Sequence, residues 1–213
     1  MLTAYLAERV SQVQAIELDR SLAPGLRAAL YGHENVELHF GDALTFDLAA
    51  LEPAPTKLVA NLPYNVATPL VAESLDLEQI KLWCVMVQRE VADRFFASPS
   101  TKAYGAVSVL VQLTATRTGW HAVSREVFRP RPNVESALVA FERTGPGPTR
   151  EVRALVEAAF GHRRKTLANA VALGGLVSRE AAVQGLATIG RAPAARAEEL
   201  EPREFVALAE ALR

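Results

Sequence analysis

Apolar positions change rhythm along this chain. Residues 2–9, LTAYLAER, place Leu2, Tyr5 and Leu6 on one helical face. Residues 13–18 read as a strand ending in the acids Glu17 and Asp19, and 22–30 as a helix with Pro24 near its start. Residues 36–40 form a strand pattern closed by Gly41-Asp42, and 57–60 a strand running into Asn61-Leu62-Pro63-Tyr64-Asn65. Thr68-Pro69 opens a helix through about Leu75. The run LWCVMV at 82–87 has no polar alternation, which predicts a strand covered on both faces. A helix follows over 89–96. Two more strands are predicted, 108–117 (SVLVQLTATR) and 137–141 (ALVAF), separated by the irregular, basic HAVSREVFRPRPNVES.

Helix and strand alternate in this way through residue 144, the pattern of an α/β doubly wound fold. Gly145-Pro146-Gly147-Pro148 then interrupts it, and everything beyond reads as helix: 151–160, 165–173, 178–186 and 202–212. The division predicted is an α/β domain over 1–144, a linker over 145–149 and a small helical domain over 150–213.

The chain has 213 residues, half of them hydrophobic, with 23 Lys and Arg against 24 Asp and Glu. That composition excludes disorder and fibrous repeats. A formal charge of −1 gives no bulk signature of nucleic-acid binding, so any such role must rest on local patches. Residues 1–149 carry 13 basic and 16 acidic groups, net −3, whereas 150–213 carry 10 and 8, net +2. One cysteine, Cys84, excludes an internal disulfide framework and a cysteine-rich zinc site. No stretch is apolar for long enough to span a membrane, and the N-terminus has no signal-peptide pattern, so the expected location is the cytoplasm.

Ligands of open α/β sheets lie beyond the carboxyl ends of the strands. Those ends carry Glu17, Asp19, Asp42, Asn61 and Gln88 here. An ionised carboxylate accepts only, so Glu17 or Asp19 suits two ribose hydroxyls, and Asp42 suits an exocyclic adenine amine. An Asx turn or helix cap is the plain alternative for each acid. No G-x-G-x-x-G sequence is present to support a dinucleotide site.

The most specific local feature is Asn61-Leu62-Pro63-Tyr64. Pro63 fixes its own φ and biases Leu62 away from the helical region, leaving the Leu62 carbonyl beside the Asn61 side-chain oxygen. Two adjacent acceptors match the two hydrogens of a primary aromatic amine, and Tyr64 offers a ring for an unstacked base. A strand-to-helix turn with Asn61 as cap and Tyr64 as packing is the competing reading. Arg125, Arg129 and Arg131 around Phe128 suit a phosphate track, or else a proline-stiffened surface loop. Arg163, Arg164 and Lys165, expected at the start of a helix, suit a phosphate bound there, or else an interdomain ion-pair role. The histidines have no metal-ligand spacing, and Cys84 reads as a small buried hydrophobe.

These motifs together resemble the bacterial small-subunit (16S) ribosomal RNA adenine dimethyltransferases. AIELDRSLAP, GDAL, NLPYN, VQREVADRF, YGAVSVLVQ, VFRPRPNVESALV, AFGHRRKTLANAV and RAEELEPREFVALAEAL follow the family's order over almost the whole chain. The resemblance implies a Rossmann-like S-adenosylmethionine-dependent methyltransferase sheet with a C-terminal helical domain that contacts RNA. It implies N6,N6-dimethylation of two adjacent adenosines near the 3′ end of small-subunit rRNA during ribosome biogenesis. Cofactor binding falls to Glu17, Asp42, Ala43 and Asn61, the catalytic turn to Asn61, Leu62, Pro63 and Tyr64, and closure of the target pocket to Phe128. RNA contacts fall to the two basic segments, in a monomer that needs no metal and no membrane. The family's first strand and glycine-rich cofactor loop, about 40 to 50 residues, have no counterpart here. A truncated N-terminus is therefore expected, with a lost strand between those ending at Leu18 and Ala60. A nonenzymatic rRNA-binding or ribosome-assembly protein is the alternative that the absent loop leaves open.

Overall fold

The computed structural model describes residues 2–213. By packing, the chain divides into one unit ending at Thr56 and another running Lys57–Arg213. The first unit contains α1 (Leu2–Ala7), β1 (Val13–Glu17), α2 (Ala23–Ala29) and β2 (Val36–Phe40). β1 and β2 pair in parallel, Val13 opposite Val36 and Glu17 opposite Phe40. The Asn35 side-chain amide donates to the carbonyls of Ala7 and Val10 at 2.8 and 2.9 Å, joining the end of α1 to the start of β2. The helix expected from residue 22 starts as a 3-10 turn, Arg20–Leu22, because the Asp19 carboxylate accepts the Ser21 N–H and sets the entry; α2 then carries Pro24 in its first turn.

The second unit contains β3 (Lys57–Asn61), α3 (Ala67–Ser74), β4 (Leu82–Gln88), α4 (Arg89–Phe95), α5 (Ala106–Thr114), β5 (Ala115–Val123) and β6 (Ser136–Arg143). Four helices complete it: α6 (Arg150–Gly161), α7 (Leu167–Leu173), α8 (Arg179–Thr188) and α9 (Pro202–Ala211). Its strands run in the order β3-β4-β6-β5. β3 and β4 are parallel, whereas β6 is antiparallel to both β4 and β5. The α/β class stands, but the sheet is mixed: β5 and β6 are joined by a 12-residue loop, 124–135, without a crossover helix, so they pair antiparallel. The β5–β6 register shifts between Arg117 and Gly119.

Two expected elements are corrected. Residues 108–117 are not one strand: Val107 to Val111 and Thr114 are buried within α5, and the strand starts at Ala115 and continues through Trp120 to Val123. A helix buried on all sides has no polar stripe, so its run of apolar residues is indistinguishable from a buried strand. β4 is also covered more on one face than the other. Trp83, Val85 and Val87 are fully buried, while Leu82, Cys84 and Met86 are half-buried. The buried face holds the core, with Trp83 stacked on Phe141 at 5.1 Å between ring centres and its indole N–H donating to Ser74 Oγ at 2.8 Å.

The 145–149 segment is seated against its unit. The Arg143 guanidinium donates to the carbonyls of Leu75, Leu77 and Ile80 at 2.9, 3.1 and 2.7 Å, and a Cβ on Gly147 would stand 2.9 Å from the Leu75 carbonyl oxygen. Arg153 of α6 pairs with Asp76 at 2.6 Å, and the Phe160 ring lies 5.9 Å from those of both Tyr104 and Phe205. The terminal helices thus share a packed interior with the elements around β3–β6.

Candidate functional site

Glu17 and Asp42 lie at the same end of a parallel pair, where the Gly41 N–H donates to the Glu17 carbonyl at 3.0 Å. Glu17 Oε1 accepts the Asp19 N–H at 2.8 Å. Asp19 in turn accepts the Ser21 N–H at 2.8 Å, which holds its carboxyl below the usual range. Asp19 therefore caps the 3-10 turn, whereas Glu17 ends β1 itself. Asp42 Oδ1 accepts the Leu44 N–H at 3.0 Å, an Asx turn with Ala43 half-buried at its centre. In both Glu17 and Asp42 one carboxylate oxygen fixes the local backbone. The other accepts no hydrogen bond among the described residues and stays open to an external donor, which fits a nucleoside ligand.

The Asn61–Tyr64 turn belongs to the second unit. The parallel register sets Asn61 beside Met86, and the Leu62 N–H donates to the Met86 carbonyl at 3.0 Å. The Leu62 side chain is buried, which anchors the turn, and the Pro63 carbonyl accepts from Val66 and Ala67 as α3 begins. Neither the Asn61 side chain nor the Leu62 carbonyl takes part in a hydrogen bond among the described residues. Val66 holds the cap position of α3, so Asn61 is no helix cap. Tyr64 is 41% exposed, too open for a packing residue.

Phe128 sits half-buried in the 124–135 loop, its N–H donating to the Arg125 carbonyl at 3.3 Å. The three arginines of that loop are engaged locally. Arg125 pairs with Glu135 at 3.7 Å, Arg131 with Glu126 at 2.6 Å, and Arg129 donates to the carbonyls of Glu126 and Phe128, both at 2.9 Å. Sequence reasoning named the arginines and passed over Glu126 and Glu135; the visible signal was two acids inside a basic segment.

The second basic segment is placed differently from expectation. Residues 163–165 do not begin a helix: α6 ends at Gly161 and α7 starts at Leu167, with Thr166 at its cap position. Their charge follows a helix C-terminus, where it is favourable, so no helix-bound anion is required to explain it. All of 161–165 is exposed. Arg163 donates to the Tyr104 carbonyl at 2.9 Å and lies 3.5 Å from Glu198, whereas the side chains of Arg164 and Lys165 make no bond among the described residues.

His39 lies 2.6 Å from Gln14 Oε1. Cys84 is half-buried, and burial pushes its thiol up, away from nucleophilic chemistry. Among the described residues no cluster of three metal-ligating side chains occurs, and no helix is long and apolar enough to cross a membrane.

The mixed sheet and the helices packed with it in the second unit have the α/β fold typical of S-adenosylmethionine-dependent methyltransferases. Residues 1–212 match the family described as "Ribosomal RNA adenine dimethylase". Over 213 aligned residues the chain is 49% identical to Ribosomal RNA small subunit methyltransferase A of Rubrobacter xylanophilus, covering 97% of this chain and 79% of that one. The crystal structure of the 23S rRNA methyltransferase ErmE superposes with a TM-score of 0.64 at 26% identity, covering all of this chain and 86% of the other. A dimethyladenosine transferase from Plasmodium falciparum shares the fold, with a TM-score of 0.73 at 24% identity over 97% of this chain and 84% of the other. The chain belongs to the ribosomal RNA adenine dimethylase family, and it is an enzyme of rRNA adenine methylation.

Proposed function

We propose that the protein transfers two methyl groups to N6 of each of two adjacent adenosines near the 3′ end of small-subunit rRNA, in a pre-ribosomal particle in the cytoplasm. The observation that carries this reading is the Asn61–Leu62 pair, two free acceptors on a turn pinned to Met86. Bound S-adenosylmethionine supplies an electrophilic methyl on a sulfonium. Asn61 Oδ1 and the Leu62 carbonyl accept the two N6 hydrogens of the target adenine, orienting the nitrogen lone pair otherwise shared with the ring. Tyr64 and Phe128 stack on the base once it leaves its neighbours. Transfer would form the N–C bond as the sulfonium S–CH3 bond breaks, the electron pair staying on sulfur in the departing thioether; the nitrogen then becomes acidic and its proton passes to an acceptor oxygen or to water, so no strong base is needed beforehand. Positioning and electrostatics provide most of the acceleration.

Glu17 takes the cofactor's ribose hydroxyls and Asp42 the adenine amine, with Ala43 and Asn61 lining the ligand. We assign the catalytic role to residues 1–144, seat the 145–149 connection between the parts, and give RNA contact to the helices of 150–213 and to Arg125, Arg129 and Arg131, in a Rossmann-like domain acting as a monomer. Support for the small-subunit substrate is the identity of 49% to a protein named for that activity, against 26% to one named for 23S rRNA. The test is methylation of immature small subunits and of large-subunit rRNA with radiolabelled cofactor, the labelled bases being mapped by nuclease digestion. Dimethyladenosine at two neighbouring positions of the small-subunit RNA is expected; label confined to large-subunit RNA overturns the reading.

A further inference from the structure

The 124–135 loop that carries Phe128 starts where the β5–β6 ladder stops, at the pair Val123 and Ser136. From there on it has no strand partner, and its placement depends on a few bonds at its neck. The Arg125 N–H donates to Glu135 Oε2 at 2.9 Å, and the Arg125 guanidinium lies 3.7 Å from Glu135 Oε1. The Glu135 carbonyl accepts the Arg89 N–H at 3.0 Å, satisfying a free donor at the start of α4. Arg89 directly follows β4, and Met86 of β4 receives the Leu62 N–H. On the other side, Arg125 accepts the Phe128 N–H. A continuous line therefore runs from the acceptor turn through β4 and Glu135 to Phe128, and the Glu135 carboxylate is the side chain that closes it.

We infer that Glu135 is a positioning residue, which fixes the Phe128 loop against the end of β4 so that the ring stands ready for the target base. This rests on the proposed role of Asn61–Leu62 and Phe128. The carboxylate is 46% exposed, and an exposed pair of this kind adds little to overall stability. Its effect is geometric: without it the Arg125 N–H turns to water and the short 3-10 turn that precedes Phe128 loses its tie to the sheet. Arg129 and Arg131 bind within the loop itself and cannot replace that tie.

The experiment compares Glu135→Ala, Glu135→Gln and Asn61→Ala in single-turnover methyl transfer at saturating RNA, beside melting curves and cofactor affinity. Base capture is read independently from the fluorescence of a small-subunit rRNA 3′ fragment carrying 2-aminopurine at a target position. Glu135→Ala is expected to slow transfer about tenfold and to blunt the fluorescence change, with melting midpoint and cofactor affinity unaltered. Glu135→Gln keeps an oxygen for the Arg125 N–H and should recover most of both signals. A wild-type rate and fluorescence response in Glu135→Ala overturn the inference, as does a rate loss that merely follows a lowered melting midpoint. Asn61→Ala separates the two levels: full activity there overturns the catalytic reading itself, whereas an inactive Asn61→Ala beside a fully active Glu135→Ala overturns only the positioning role.

Discussion

Tyr104 donates its hydroxyl to the Leu200 carbonyl at 2.8 Å, across 96 positions of sequence and with both residues fully buried. Burial pushes the phenol far above its ordinary range, so it stays a neutral donor. Tyr104→Phe removes the donor and leaves a buried carbonyl unsatisfied, at a cost of about 1–3 kcal/mol. Thermal unfolding should show the loss as a midpoint lower by about 2–4 °C per kcal/mol, with cofactor affinity unchanged. An unaltered midpoint would mean that water reaches Leu200.

Asn61→Ala removes one of two acceptors without touching the Leu62–Met86 bond that holds the turn. Single-turnover methyl transfer is expected to fall by about a hundredfold or more, while RNA affinity changes little. Parallel binding and rate measurements check this, and equal losses in both would reassign Asn61 to RNA recognition.

Glu17→Gln and Asp42→Asn each keep an oxygen for the local backbone bond, to Asp19 and Leu44 respectively, and alter the free one. Each should weaken S-adenosylmethionine binding by about 1–3 kcal/mol with the fold intact. Titration calorimetry on the folded variants decides it; unchanged affinity in both would place the cofactor elsewhere.

Arg164 and Lys165 project without partners among the described residues, unlike Arg163, which braces the Tyr104 carbonyl. Neutralising the first two should reduce the logarithmic salt slope of rRNA binding by up to about 2 and leave melting unchanged. Arg163→Ala should lower the melting midpoint as well. A salt slope insensitive to Arg164 and Lys165 would return them to the solvated surface.

Glu204 is held below the usual carboxylate range by its hydrogen bonds with the Arg191 guanidinium, Nε to Oε1 at 2.6 Å and Nη2 to Oε2 at 2.5 Å, while partial burial opposes the shift. A carboxylate lowered on folding stabilises above its ordinary value of 4.5, and that contribution disappears as pH falls through the folded value. Glu204→Gln should therefore be less stable than the parent at neutral pH, the two converging as the pH falls through the lowered value of the folded carboxyl. Parallel urea titrations at stepped pH test it; a constant difference would exclude the ion pair as its source.

Much of this was legible from residue order. β1, β2, β3, β4 and the terminal helices fall close to their predicted places, because each is bounded by turn or cap chemistry such as Asp19, Gly41-Asp42 and Pro202. The acceptor turn was readable because Pro63 restricts its own backbone and that of its neighbour. Distant partners decided the rest. Ser108 reads as a strand residue in sequence, whereas its hydroxyl accepts from Gly105 and donates to the Arg94 carbonyl inside a buried helix. Gly145-Pro146-Gly147-Pro148 looked like a tether, and only the approach of Gly147 to Leu75, far away in sequence, makes it a fitted seam. The role of Glu135 is illegible in the sequence for the same reason, since its partners Arg125 and Arg89 come from different elements.

The register break in β5 has a consequence for how folded copies of the chain meet one another. β5 ends the four-stranded sheet and, among the described residues, pairs with β6 alone, so its outer side is a template on which a second molecule could add a strand. The shift between Arg117 and Gly119 interrupts the even spacing such an addition would copy, and the exposed Arg117 sets a fixed positive charge beside the break. Two copies meeting edge to edge would have to match a bulge with a bulge and a cation with a cation. The irregularity thus acts as a gatekeeper against self-templated aggregation while the molecule waits for RNA.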